Sequence, residues 1–188
     1  MLFRSGLPYP QTIVEIMSVE RPARPLPIGE KGEICITGPQ VMAGYWNRPE
    51  ETALVIVDGR LHTGDVGYMD GDGYFYIVDR LKEMINAGGF KVYPRMVEEA
   101  IHTHPAVAEC AVVGVPDPYR GETVKAFVAL VAGKALTAEA LIAFLADKLS
   151  RIELPKQIEF RPALPKTAVG KIDKKALTAE GSATQAGP

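Results

Sequence analysis

Apolar residues repeat with one period in the first part of the chain and with another in the remainder, and the change of period suggests the division of the molecule. Early on, the repeat is two: Thr12-Ile13-Val14-Glu15-Ile16 alternates like a half-buried strand, and β-type runs follow at 33–37 and 74–78. Prolines at 8, 10, 22, 25 and 27 make residues 1–31 loop-rich, and Asp70-Gly71-Asp72-Gly73 marks a turn between strands. This stretch predicts a small all-β unit. After Arg80 a helical period enters. Pro94 can open a helix that places Val97, Ala100 and Ile101 on one face. The valine-rich runs 107–115 and 124–131 read as central strands joined through Pro116-Asp117-Pro118. Thr137 is an N-cap with Glu139 in the first turn, and Leu141, Ile142, Phe144, Leu145 and Leu149 form an apolar stripe that predicts a helix ending near Ser150. A strand at 157–161, a loop at 164–171 and a short helix at 173–177 complete the pattern, with the polar stretch 178–188 expected to be disordered. The fold class is α+β, with an all-β subdomain followed by an antiparallel sheet packed by helices, and the seam lies near 79–82.

Composition narrows the partners. Among 188 residues, 21 basic and 23 acidic side chains leave a net charge of -2 with no long block of one sign, so a nucleic acid is a poor partner. Cys35 and Cys110 stand far apart, without CxxC or His-rich spacing, and read as buried thiols of a reducing compartment rather than metal ligands. The N-terminus lacks the apolar stretch of a signal peptide, and no apolar run approaches the ~20 residues of a transmembrane helix. A cytoplasmic location is expected.

Three segments carry polar groups that suit chemistry. In Leu61-His62-Thr63-Gly64-Asp65, a carboxylate follows a small turn, where it can accept two hydroxyl hydrogens of a ribose diol; taken alone it is more often just a turn residue. His62 reads as a surface or supporting residue. In Asp79-Arg80-Leu81-Lys82-Glu83, charges follow a strand, and Gly88-Gly89 downstream allows a tight hairpin or close approach of a ligand to backbone. In Leu164-Pro165-Lys166-Thr167-Ala168-Val169-Gly170-Lys171, a lysine on an exposed loop can be delivered to a phosphate or carboxylate, and Lys171, next to Gly170, is a better candidate than Lys166.

Taken in order, these segments resemble the adenylate-forming superfamily of acyl- and aryl-CoA synthetases, luciferases and peptide-synthetase adenylation domains. The likeness covers about residues 6–177. It rests on Gly32-Glu33-Ile34, Gly38, Val41-Met42-Ala43-Gly44-Tyr45-Trp46-Asn47, Pro49-Glu50-Glu51-Thr52 and Thr63-Gly64-Asp65. The stretch Met84-Ile85-Asn86-Ala87-Gly88-Gly89-Phe90-Lys91-Val92-Tyr93-Pro94 is similar to the acyl-CoA synthetase version, and the resemblance implies a fatty acid as substrate and coenzyme A as acceptor. The resemblance implies that residues 1–78 are the C-terminal β subdomain of a larger domain, 79–83 a hinge, 84–177 a mobile lid domain with a β-hairpin, and 178–188 a tail.

It further implies a role for each matching residue. Asp65 would bind the ribose of ATP and of the acyl-adenylate, Arg80 and Ile77 the same nucleotide, and Lys91 would lie near its phosphates. Lys171 would be the adenylation lysine, Lys82 the pivot of the lid, and Gly88, Gly89 and Phe90 the lining of the coenzyme A tunnel. Two departures stand out: Met96 replaces an acid at the start of a helix, and Ile152-Glu153 replaces an aromatic-basic pair. The family's phosphate loop and its magnesium-binding acid have no match here, so Mg2+, the triphosphate and the acyl pocket are expected to belong to an N-terminal region that this chain lacks. The expectation is an acid–thiol ligase portion, inactive alone and prone to self-association through an exposed apolar face. An aryl-CoA ligase portion and a silent remnant that binds coenzyme A or protein are the alternatives.

Overall fold

The computed structural model describes residues 3–20 and 22–183. Contacts divide the chain into two compact units, 1–82 and 83–188. The first is a six-stranded antiparallel sheet made of β1 (Phe3–Gly6), β2 (Ile13–Met17), β3 (Gly32–Thr37), β4 (Ile56–Val57), β5 (Arg60–Met69) and β6 (Phe75–Arg80), in the order β1-β6-β5-β3-β2 with β4 beside β5. Alternation along β2, β3 and β6 puts Ile16, Ile34 and Phe75 together, with Val14, Ile36, Met69 and Ile77 packed around them. Asp70 makes the β5–β6 turn: its Oδ1 accepts from the backbone of Asp72 and Tyr74, and its Oδ2 from the Tyr76 hydroxyl at 2.9 Å. Helix α1 (Pro49–Val55) buries no residue, which is why no apolar period announces it. It is held by Thr52 donating to the Arg48 carbonyl and by an Arg48–Glu51 pair.

Strand β6 runs through Asp79 and Arg80, which the sequence reading places beyond the strand. Val66 and Asp79 pair across the ladder, and Asp79 is buried. A 3-10 turn over Leu81–Glu83 spans the division between units.

The second unit holds β7 (Ile85–Ala87), β8 (Phe90–Val92), α2 (Pro94–His102), β9 (Val107–Asp117), β10 (Gly121–Leu130), α3 (Ala138–Leu145), β11 (Gln157–Phe160) and α4 (Lys174–Ala183). Its five-stranded sheet is antiparallel except for β10–β11. That pair is parallel because the chain returns to the starting edge through α3. The valine runs are continuous because both faces of β9 and β10 are covered. On one face Val112, Val124, Ala126 and Val128 meet Val97 and Ile101 of α2 and Leu141 and Leu145 of α3. On the other, Ala111, Val113, Val115 and Phe127 meet Leu164 and Leu177.

Thr137 caps α3 by accepting from Ala140 N at 3.2 Å. The helix stops at Leu145 rather than near Ser150, because residues 146–149 continue as a turn that still packs Leu149 on the core. A larger difference concerns the C-terminus. Helix α4 extends to Ala183, well into the stretch expected to be disordered, and residues 184–188 lie outside the described residues. The helix persists because Leu177 is fully buried and Glu180 pairs with Arg161 at 2.7 Å. Gly181 lies so close to β9 that a Cβ there would come within 2.8 Å of Val115 Cγ1. Among the described residues, no helix is long and apolar enough to cross a membrane.

Candidate active site

Asp65 and Arg80 face each other on β5 and β6, and Arg80 Nε lies 2.7 Å from Asp65 Oδ1. The turn that presents Asp65 is built from backbone upward. Gly64 takes a φ of +71°, which a side chain would strain. Thr63 Oγ1 donates to the Ile34 carbonyl at 2.7 Å and accepts from Asp65 N at 3.1 Å. Glu33 Oε1 accepts from Gly64 N at 3.2 Å while its Oε2 lies 2.7 Å from His62 Nδ1. Glu33 and the His62 side chain are both buried, so the histidine supports the turn from inside. Sequence reasoning left this pair unseen, since 29 residues separate its members.

One hollow, lined by Asp65, Thr63, Ile77, Ile34, Ile36 and Phe75, places the carboxylate beside an apolar floor. A second hollow is lined by Thr63, Gly64, Arg80, Leu81 and Lys82. Lys82 itself is exposed. The structure thus brings Asp65, Ile77, Arg80 and Lys82 together in the first unit.

Glu33, Cys35 and His62 bring three ligand-type atoms within 4.8 Å of one another. Both the carboxylate and the thiol approach the same imidazole nitrogen, and hydrogen bonding accounts for the arrangement. A thiol and an imidazole do not suit Mg2+, which takes oxygen ligands.

The second unit carries the other candidates. Gly88 and Gly89, with φ of +66° and +88°, form the two-residue turn between Ala87 and Phe90. Positive φ at both central positions matches the right-handed twist of a hairpin, and only glycine adopts it without strain. Gly88 N donates to the Arg120 carbonyl at 2.9 Å and Gly89 N to Asn86 Oδ1 at 3.0 Å. Open space lies over Gly89, and Phe90 is exposed. Lys91 is half-buried opposite Asn86.

Three lysines near the C-terminus have separate fates. Lys166 pairs with Glu109 at 2.6 Å, and Lys174 is held between Glu83 and Glu98. Lys171 is exposed and, among the described residues, forms no ion pair. Its backbone is nonetheless clamped: Thr167 N donates to the Lys171 carbonyl at 2.7 Å, and Lys166 bridges Ile172. Gly170 makes the turn at φ +79°. Thr167 Oγ1 in this loop is buried without a hydrogen-bond partner among the described residues, an arrangement that costs about 1–3 kcal/mol.

The two departures are accommodated locally. Helix α2 has no acid in its first turn, and Pro94 at its start removes one donor that would need a partner. Ile152 packs on the core, and Glu153 Oε2 accepts from Ser150 N and Oγ at 2.9 and 2.6 Å.

The fold is an α+β module like that of adenylate-forming enzymes. Residues 96–171 match the AMP-binding enzyme C-terminal domain. Over most of its length the chain is similar to adenylate-forming CoA ligases, consistent with the C-terminal portion of such enzymes. It is 55% identical over 175 residues to the long-chain-fatty-acid–CoA ligase of Bacillus subtilis, covering 93% of this chain and 31% of that protein. It is 51% identical over 150 residues to a feruloyl-CoA synthase of an Amycolatopsis species, covering 80% of this chain and 30% of that one. The amide bond synthetase McbA of Marinactinospora thermotolerans superposes with a TM-score of 0.84 at 40% identity, covering 95% of this chain and 36% of that structure. The chain spans about a third of the length of the curated relatives it matches.

Proposed function

We propose that this chain is the lysine-bearing portion of an acid–thiol ligase that activates a carboxylic acid with ATP and passes the acyl group to coenzyme A. In the first half-reaction a carboxylate oxygen attacks the α-phosphorus and the bond to pyrophosphate breaks, giving an acyl-adenylate. In the second, the coenzyme A sulfur attacks the acyl carbon, its proton leaves to solvent, and AMP departs. Asp65 accepts from the ribose hydroxyls, Ile77 lies along the adenosine, and Arg80 and Lys91 balance nucleotide charge. Lys171 neutralises charge that develops between carboxylate and α-phosphate, a task of orientation and electrostatics without proton transfer.

Lys82 is the pivot about which residues 84–177 turn as a lid, exchanging Lys171 for the backbone of Gly88, Gly89 and Phe90 beside the pantetheine arm. Mg2+ and the triphosphate are assigned to a region outside this chain, as is the acid pocket. The isolated chain therefore turns over little or no substrate. A fatty acid is favoured as substrate because the likeness to the Bacillus subtilis ligase covers 93% of the chain, against 80% for the feruloyl enzyme. The work is placed in the cytoplasm.

The observation that supports this reading most is Lys171: an ammonium without an acidic partner among the described residues, on a loop whose backbone is pinned. Joined to an N-terminal portion taken from a relative, the chain is expected to form pyrophosphate from acid and ATP, and to release AMP only when coenzyme A is also present. Lys171→Ala should lower adenylation on the order of 10²-fold or more. Undiminished adenylation in that variant would overturn the reading.

A further inference from the structure

Lys174 stands in the first turn of α4, where a cation opposes the helix dipole. What holds it there is a pair of carboxylates. Its Nζ lies 3.1 Å from Glu83 Oε2 and 2.8 Å from Glu98 Oε1, and the side chain is only 26% exposed. Burial alone would push the ammonium down in pKa, but Glu98 and Glu83 outweigh it and hold Lys174 above the ordinary lysine range. Glu98 is itself anchored, since its Oε1 also accepts from Val112 N at 2.8 Å in the central strand β9. Glu83 is the first residue of the second unit, directly after Lys82. The Lys174–Glu83 contact joins positions 91 residues apart in sequence.

We propose that Lys174 is a positioning residue, a clasp between the residue that follows the pivot and the loop that carries Lys171. This rests on the reading of Lys171 and Lys82 given above. Between Lys171 and Lys174 the backbone has little freedom: Lys174 N donates to the Ile172 carbonyl, Asp173 N donates to the Pro165 carbonyl, and Asp173 Oδ1 accepts from Ala176 N. A shift of Lys174 is therefore carried to Lys171. Without the ammonium, Glu83 and Glu98 repel each other across the vacated space, and the turn at 81–83 loses its tie to the lid. The hairpin at Gly88-Gly89 is held separately, through Asn86 N on Glu122 Oε2 and Gly88 N on the Arg120 carbonyl. The clasp thus serves adenylation, which needs Lys171, and leaves the thioester step unaffected.

The chain by itself supplies one arm of the test. Hydrogen exchange at the amides of Thr167, Gly170 and Asp173 should speed up in Lys174→Met, which keeps most of the apolar stem, and return toward wild type in Lys174→Arg, while amides of α3 stay unchanged. Unchanged loop exchange in Lys174→Met, or an equal rise in α3, would overturn the clasp. In the joined enzyme, Lys174→Met should slow acid-dependent pyrophosphate exchange roughly tenfold, the scale set by a displacement of less than an ångström. Release of AMP by coenzyme A from a supplied acyl-adenylate should stay unchanged. Glu83→Gln should act in the same direction with smaller effect. Equal losses in both half-reactions, or none in either, would mark Lys174 as merely structural. Should Lys171→Ala keep full adenylation, the functional reading fails on its own account, and the exchange arm still decides the clasp.

Discussion

At the scale of single residues, Glu33 shows how much one carboxylate can hold. It accepts from the Gly64 amide and faces His62 from a buried position, so neutralising it weakens both bonds that shape the Thr63-Gly64-Asp65 turn. Glu33→Gln is expected to destabilise the first unit by about 1–3 kcal/mol in chemical denaturation. In the joined enzyme it should raise the ATP concentration needed for half-maximal rate. Cys110 offers a separate check. Burial, with Glu98 nearby, pushes its thiol up from 9.0 to about 12, against the opposing pull of Lys174. The folded chain keeps this proton where the unfolded chain gives it up, so the stability it contributes is whole below pH 9 and drains as pH rises toward 12. Cys110→Ala should flatten the alkaline fall in stability, read from denaturation midpoints on either side of pH 9.0. Neither the Glu33–His62 pair nor the Lys174 clasp was legible in the sequence. Their members are far apart along the chain, and each alone is an ordinary polar residue in a strand or helix.

At the scale of elements, legibility follows how each element is stabilised. The Gly88-Gly89 hairpin and the Thr137 cap are local devices, written in two or three adjacent residues, and both can be read directly. Helix α1 was missed because it buries nothing, and strand β11 was readable as a strand but not as a parallel one, since direction is set by a partner elsewhere in the chain. The hairpin yields a clean test. Space over Gly89 is open, so Gly89→Ala costs only the left-handed backbone, about 1–2 kcal/mol, visible as faster amide exchange in β7 and β8.

At the scale of the whole molecule, each unit has its own apolar core, and the valine runs of β9 and β10 announced the larger one because both their faces are buried. Phe127 is fully buried there, so Phe127→Ala should lower stability of the second unit by about 3–5 kcal/mol. In calorimetry the transition of the second unit should move down and that of the first should not. Sequence also showed which candidate residues fall in each half: Asp65, Ile77 and Arg80 in one, Lys171 and the glycine pair in the other. It could not show how the turn around Asp65 is braced, because that depends on side chains from two different strands.

The flush seat of Gly181 against Val115 has a practical consequence for anyone shortening this protein. A glycine inside a helix sacrifices about 0.5–1 kcal/mol relative to alanine, and here the return is nearness: a Cβ at 181 would sit 2.8 Å from Val115 Cγ1 and 3.8 Å from the Phe127 ring, so the bare backbone packs where a side chain would not fit. Trimming after Leu177, which the polar composition invites, would strip that packing and deprive Arg161 of Glu180. The product should melt at lower temperature than the full chain, although every residue removed looks expendable on paper.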